Sequence, residues 1–459
     1  MHTHALADGL RPRRSLWLSR RARWSAAVVA VLVVAVLVGA FVYRLNQRPY
    51  AFDRLTRVGE AGLPGAVEGP GLRAVLDSSR AFVGYQAGPG ATGRFHLNAV
   101  DVDKPGGPPI WTNTALTGVE SFSFARGSVI VTGAPDGAGR RTITLLNASN
   151  GVPFIKFEVV AGDRWELVGK YFVRYRGADH KLVVTDVGTQ KEIAVLDQPG
   201  GPESFWLTDN WSHQQVPTSP DGAAIDEPLT VDPHLVRTVA DRGIEVLSLS
   251  SGKPDDSAPG VAGPEDLVYP YEEQVFVAAP GPGYRVQAHD RFELGKVQWT
   301  WTSPDAQARV GLLTACGERR VCAVEPHRVT ALDIRTGEVA FRVDVDGATT
   351  LLPVGDRVML GDDSGAVLLD DTGRVVRRWP GRRAARLDEG SYLLLPAEAP
   401  TGPFSLLGVQ AGNGATRDLG ALEVALGTCT WSHTYLACAS APGRFVFYRV
   451  RTPWYSGRL

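Results

Sequence analysis

Nowhere in its 459 residues does this chain spell a catalytic signature. It has no Gly-x-Ser-x-Gly elbow, and no serine or cysteine stands in a recognised protease context, which argues against the common acyl-transfer nucleophiles. His-Glu-x-x-His, a phosphate loop and a dinucleotide-binding glycine fingerprint are missing too. Cysteine is scarce, four in all, and no two have the Cys-x-x-Cys spacing of a zinc ribbon. A net charge of −1 leaves no global basic field for nucleic acid and no acidic tail. Lysine is sparse beside arginine, while alanine, valine and glycine abound, a bias typical of GC-rich bacterial genomes.

What the chain does have is a phrase that returns with variations: an apolar run, a tight polar turn, a second apolar run. The clearest copy is Thr330-Ala331-Leu332-Asp333-Ile334-Arg335-Thr336-Gly337-Glu338-Val339-Ala340-Phe341. Asn147…Gly151, Asp186…Gln190, Ser248…Gly252 and Gln410…Gly414 repeat its offsets, and Asp371-Thr372-Gly373 shortens it. Asp or Asn can accept backbone hydrogen bonds at the start of such a turn. Gly four places on supplies the left-handed backbone that returns the chain antiparallel. Equivalent turns near 101, 147, 186, 248, 290, 333, 371 and 410 recur at roughly regular spacing, about 40 residues on average. That period, built from hairpins, predicts an all-β chain: a β-propeller of about eight four-stranded blades, with seven as the alternative count. A β-sandwich of unrelated hairpins is the competing architecture. The interval from Asp186 to Ser248 is too long for one blade and implies an insertion or a degenerate copy. The last apolar runs, Thr434–Ala439 and Arg444–Arg451, lack an outgoing strand, for which Leu72–Leu76 is the expected donor. Closure matters because an open ring leaves sheet edges free to pair with other chains.

One uncharged apolar stretch, Ser25–Tyr43, is long enough to cross a bilayer core of roughly 30 Å. Arg11, Arg13, Arg14, Arg20, Arg21 and Arg23 precede it, while only Arg44 and Arg48 follow closely. The positive-inside rule then predicts a cytoplasmic tail over 1–24, a single-pass anchor over 25–43 and an external C-terminal domain. A cleaved signal peptide ending at Val38-Gly39-Ala40 is the alternative, and no Cys follows closely enough for a lipid anchor. Residues 44–70, rich in Gly and Pro, read as a stalk, and 71–459 as the propeller. The cysteines fit an oxidising compartment. Two local pairs, Cys316/Cys322 and Cys429/Cys438, can each bridge the arms of a hairpin, against the alternative of four buried thiols.

Few other residues suggest a site. His289-Asp290 reads as a blade turn rather than a catalytic dyad. Asp344-Val345-Asp346-Gly347 and Gly361-Asp362-Asp363-Ser364-Gly365 lack the alternating ligands of a calcium loop, so no metal is expected. Within the overlong interval, Trp206, Trp211, His213 and Gln214 combine aromatic and hydrogen-bonding groups and form the candidate binding surface. Trp431-Ser432-His433 echoes Trp211-Ser212-His213, which also fits a repeated strand entry.

The phrase Ala331-Leu332-Asp333-Ile334-Arg335-Thr336-Gly337 resembles the repeat of the quinoprotein-like propellers, whose members place a Trp four residues after the Gly. Trp299 after Gly295 and Trp111 after Gly107 fit that pattern, and Phe341 occupies the place after Gly337. The resemblance spans most of 71–459 and is similar to degenerate, membrane-anchored envelope members, particularly actinobacterial ones. It implies either of two occupations. Dehydrogenases of the family hold pyrroloquinoline quinone and calcium in the central funnel, and many cover the cofactor with a disulfide of adjacent cysteines. This chain has no adjacent cysteines and no calcium-ligand set identifiable by motif. The other branch works by protein contact. The resulting expectation is a non-enzymatic platform on the outer side of a bacterial cytoplasmic membrane. It would have no cofactor and no nucleic acid, and would bind an envelope protein or polymer. A dehydrogenase using pyrroloquinoline quinone and calcium, or an external ligand sensor, are the alternatives.

Overall fold

The computed structural model describes residues 52–451, except 64–65, 68–71, 78, 88–93, 126, 202–203, 209–232, 240–242, 282, 318, 363, 389, 397–402, 423, 425–428 and 442. Nine antiparallel sheets follow one another, eight of four strands and the first of five. In chain order, blades 1 to 8 run over 73–116, 119–159, 164–197, 205–258, 267–302, 312–344, 350–380 and 382–422. Blade 9 takes three strands from Cys429–Arg451 and its fourth from Phe52–Gly62, which pairs antiparallel with Arg444–Arg451. Neighbouring blades share buried clusters, and the first and last do so through Ala74, Leu76, Tyr435 and Phe447. The architecture is a β-propeller closed between its two chain ends.

The count is one higher than the turns suggest, for a physical reason. The eight turns, six opened by Asp or Asn and the others by Ser248 and Gln410, join the third and fourth strands of blades 1 to 8. Blade 9 has no such turn, because its fourth strand comes from the other end of the chain. That strand is Phe52–Gly62 and not Leu72–Leu76, whose residues Arg73–Leu76 instead form the inner strand of blade 1. The segment 44–70, expected as a stalk, therefore contains the closing strand. Its sequence, FDRLTRVGEAG, is polar because a rim strand is half-buried or exposed along most of its length. Residues 25–43 lie outside the described residues. Among those described, no helix is long and apolar enough to cross a membrane.

The turns work as their chemistry requires. The Asp333 carboxylate accepts the N–H groups of Arg335 and Thr336 at 2.8 and 3.1 Å, and Gly337 donates its N–H to the Asp333 carbonyl at 2.9 Å. Gly337 does so at φ +72°, a left-handed backbone that glycine adopts without strain. In blade 7 the capping carboxylate belongs to Asp370, one residue before the expected Asp371.

These turns also join the blades. A Cβ on Gly337 would fall 2.6 Å from the indole of Trp299 on the outer strand of blade 5. Trp299 Nε1 donates to the Ile334 carbonyl of blade 6 at 2.8 Å. Trp111 of blade 1 sits on Gly151 of blade 2 and donates to Ala148, and Phe341 of blade 6 sits on Gly373 of blade 7. At these three seams the aromatic after one turn is thus a peg for the glycine of the following turn, whereas Gly252 meets Ile193 and Gly414 meets Val376. Each contact buries apolar surface at about 25 cal/mol per Å².

Candidate functional site

Blade 4 departs from the pattern of the others. Its inner strand, Phe205–Thr208, reaches the second strand, His234–Val239, through 25 intervening residues, whereas the other blades make that connection in two to four. Among the described residues the overlong interval therefore holds one blade with an insertion. Thr208 stands opposite His234, and His234 opposite Ser248, so the insertion leaves the ring on the face that carries the Asp/Gly turns.

Its root is tightly held at both ends of the short strand. Ahead of Phe205, the fully buried Gln198 donates through Nε2 to the Ser204 hydroxyl at 2.6 Å and to its carbonyl at 3.1 Å. Arg237 Nη1 donates to the Asp197 carbonyl at 2.5 Å, and its Nε to Glu245 at 2.6 Å. This network ties the end of blade 3 to the first three strands of blade 4. At the other end the buried His234 contacts Asp255 through Nε2 at 3.1 Å. A largely buried charge pair such as Arg237–Glu245 fixes geometry, and removing one partner is costly.

Alternation along the inner strand sends its side chains in opposite directions. Phe205 is fully buried in the seam with blade 3, under the Arg164 guanidinium at 4.6 Å. Trp206 faces the other way and packs, partly buried, against Val236, Ala262, Val268 and their neighbours between blades 4 and 5. Trp206 is an anchor of the strand as much as a surface group, which the sequence pattern alone did not reveal. Trp211, His213 and Gln214 lie outside the described residues.

The cysteines pair as expected. Cys316–Cys322 spans the first two strands of blade 6 with Cα atoms 5.7 Å apart. Cys429–Cys438 joins directly opposed residues of blade 9 at 4.0 Å. Other sequence features resolve into turn chemistry. Asp290 caps Phe292, and His289 Nδ1 contacts the Leu294 carbonyl at 2.7 Å, so the two do not form a dyad. Burial holds the His289 imidazole below its ordinary pKa. Asp362 Oδ1 accepts the N–H groups of Ser364 and Gly365, and Ser432 Oγ those of Thr434 and Tyr435. No cluster of three potential metal ligands occurs among the described residues.

Three features escaped the sequence reading. Gln198 and Arg237 lie 39 residues apart, and Tyr284 donates to the buried Glu325 carboxylate across the seam of blades 5 and 6 at 2.8 Å. Neither pair leaves a local motif. The third, a run of arginines on the rim of blade 7, was visible in the sequence as a stretch without acids.

No family model and no curated protein matches the chain. Solved structures do. BamB from Moraxella catarrhalis is 15% identical at a TM-score of 0.41, covering 86% of this chain and 99% of that one. The C-terminal WD40 domain of Sif2 is 10% identical at 0.41, covering 88% and 100%. A eukaryotic initiation factor is 13% identical at 0.50, covering 75% and 87%. At such identities the likeness is one of fold: this chain is an all-β propeller.

Proposed function

We propose that the protein is a non-enzymatic, membrane-anchored propeller that presents a binding surface to an envelope protein or polymer outside the cytoplasm. The observation that carries this reading is the root of blade 4. A connection several times longer than any equivalent is rooted on a strand locked at both ends. A rigid base lowers the entropy lost when a presented segment binds. Trp206 anchors the strand, and Trp211, His213 and Gln214 of the insertion are proposed as the contacting groups, with Trp211 as the central one because Trp is enriched in binding hot spots.

The anchor over 25–43 restricts the search for a partner to the membrane surface, and both disulfides suit an oxidising compartment. The proposal is tested by crosslinking the full-length protein in cells and identifying what is captured. A partner captured by the parent and lost in Trp211→Ala supports the reading. Trp206→Leu separates the anchor from the contact, because it perturbs packing within the seam. A partner held equally by parent and Trp211→Ala contradicts it.

A further inference from the structure

Between Asp371 and Asp388 the chain carries six arginines and no acidic residue. Three of them, Arg374, Arg377 and Arg378, are exposed on or beside the outer strand of blade 7, Val375–Pro380, and Arg383 is exposed near the start of the first strand of blade 8, Arg382–Asp388. Other described rim strands mix signs or lack cations: Lys191 with Glu192 in blade 3, Asp255 with Asp256 in blade 4, Arg342 with Asp344 in blade 6, Arg417 with Asp418 in blade 8. Little neutralises the blade 7 charge. Arg378 reaches Asp362 only at 3.7 Å, Arg377 lies over the Trp379 ring at 5.7 Å, and Arg374 and Arg383 form no ion pair among the described residues. Between the charges Val375 and Val376 are 43% and 36% exposed.

We propose that this strand is a docking edge for an acidic peptide segment, which adds to blade 7 as a further strand. The strand pairs with Gly365–Leu369 on one side and with no other described strand on its outer side, so an edge is available for main-chain hydrogen bonds. Charge on a rim strand commonly guards against unwanted pairing. Charge of one sign repels another copy of the same edge and attracts an acidic one. Arg377 faces blade 8 and Arg378 faces Asp362 on the opposite side, so carboxylates at neighbouring positions of an extended segment meet a guanidinium on either face. The two valines add apolar contact. The proposal goes beyond the platform reading: it uses another blade and other residues, and its failure leaves the blade 4 surface standing.

The test is fluorescence anisotropy of the full-length protein with a labelled ten-residue peptide of alternating Glu and Val. Binding is expected to saturate, to weaken with salt, and to fall about tenfold or more in Arg374→Glu/Arg378→Glu, since several exposed ion pairs together are worth about 1–2 kcal/mol. Lys191→Glu on the rim of blade 3 serves as a charge-reversal control away from blade 7, with affinity unchanged within about twofold. Amide hydrogen exchange on the parent protein should show slowed exchange confined to 375–379 when the peptide is bound, a readout that does not depend on any variant folding. Unchanged exchange there overturns the proposal. So does peptide binding that the double variant retains, or that inorganic polyphosphate displaces while itself protecting no amide, because charge alone then accounts for it.

Discussion

The pegs between blades make a quantitative prediction at Gly337. Replacing it with Ala has two separable costs. An L-residue held at φ +72° loses about 1 kcal/mol relative to Gly. The new methyl must also push into the Trp299 ring, 2.6 Å from where it would sit, and that ring is fixed by its hydrogen bond to Ile334. Overpacking of this kind costs about 1–3 kcal/mol, so Gly337→Ala should lose about 2–4 kcal/mol. Gly260 provides the reference: its φ is +73°, yet a Cβ there meets nothing within 4 Å, so Gly260→Ala should lose only the backbone share. Urea unfolding of both variants against the parent gives the two losses from the shift in midpoint at constant slope. Trimming the peg with Trp299→Leu should then make Gly337→Ala cheaper in a double-mutant cycle, because the clash is gone. Equal losses at 337 and 260, or an additive cycle, would refute the claim that the blades are joined by these pegs.

Three further outcomes follow from the same structure. Phe52→Ala removes a fully buried ring that packs against Gly408 and under the Arg451 guanidinium at 4.4 Å; a loss of about 3–5 kcal/mol is expected by denaturant unfolding, with faster exchange along Arg444–Arg451 as the ring opens. His289 is held neutral by burial, so its folded pKa lies below the ordinary 6.5; its contribution is complete above that value and is lost as pH falls toward the folded pKa. Thermal unfolding between pH 7.5 and 5 should therefore show a shallower acid loss in His289→Asn than in the parent. Cys429→Ser/Cys438→Ser and Cys316→Ser/Cys322→Ser open loops of nine and six residues, and each should cost about 2–3 kcal/mol in chain-entropy terms, measured by unfolding without reductant.

Much of the fold is legible because each repeat writes its own turn. Asp333, Asn147 and Asp186 announce themselves by spacing to a left-handed residue, even where that residue is Gln190 at φ +58° rather than Gly. The peg residues were visible too, as the aromatic four places after the turn, although their role in joining blades needs coordinates. The closing strand was hidden for the opposite reason. Its exposed rim position demands polar residues, so Phe52–Gly62 reads as a linker, and its partner lies nearly 400 residues away. The candidate site was half legible: the long interval marked blade 4, but alternation along the strand decides that Trp206 packs inward. Its supports, Gln198 and Arg237, are ordinary residues made important by distant pairing.

The most direct test of the platform account replaces residues 209–233 with a two-residue turn of the length used in blades 2, 3, 5, 7 and 8. The account predicts an unchanged unfolding midpoint, because the ring and the root of blade 4 do not depend on the insertion, together with loss of the partner captured by the parent in cells. A shortened protein that still captures that partner, or a parent that captures none while correctly folded, would contradict it.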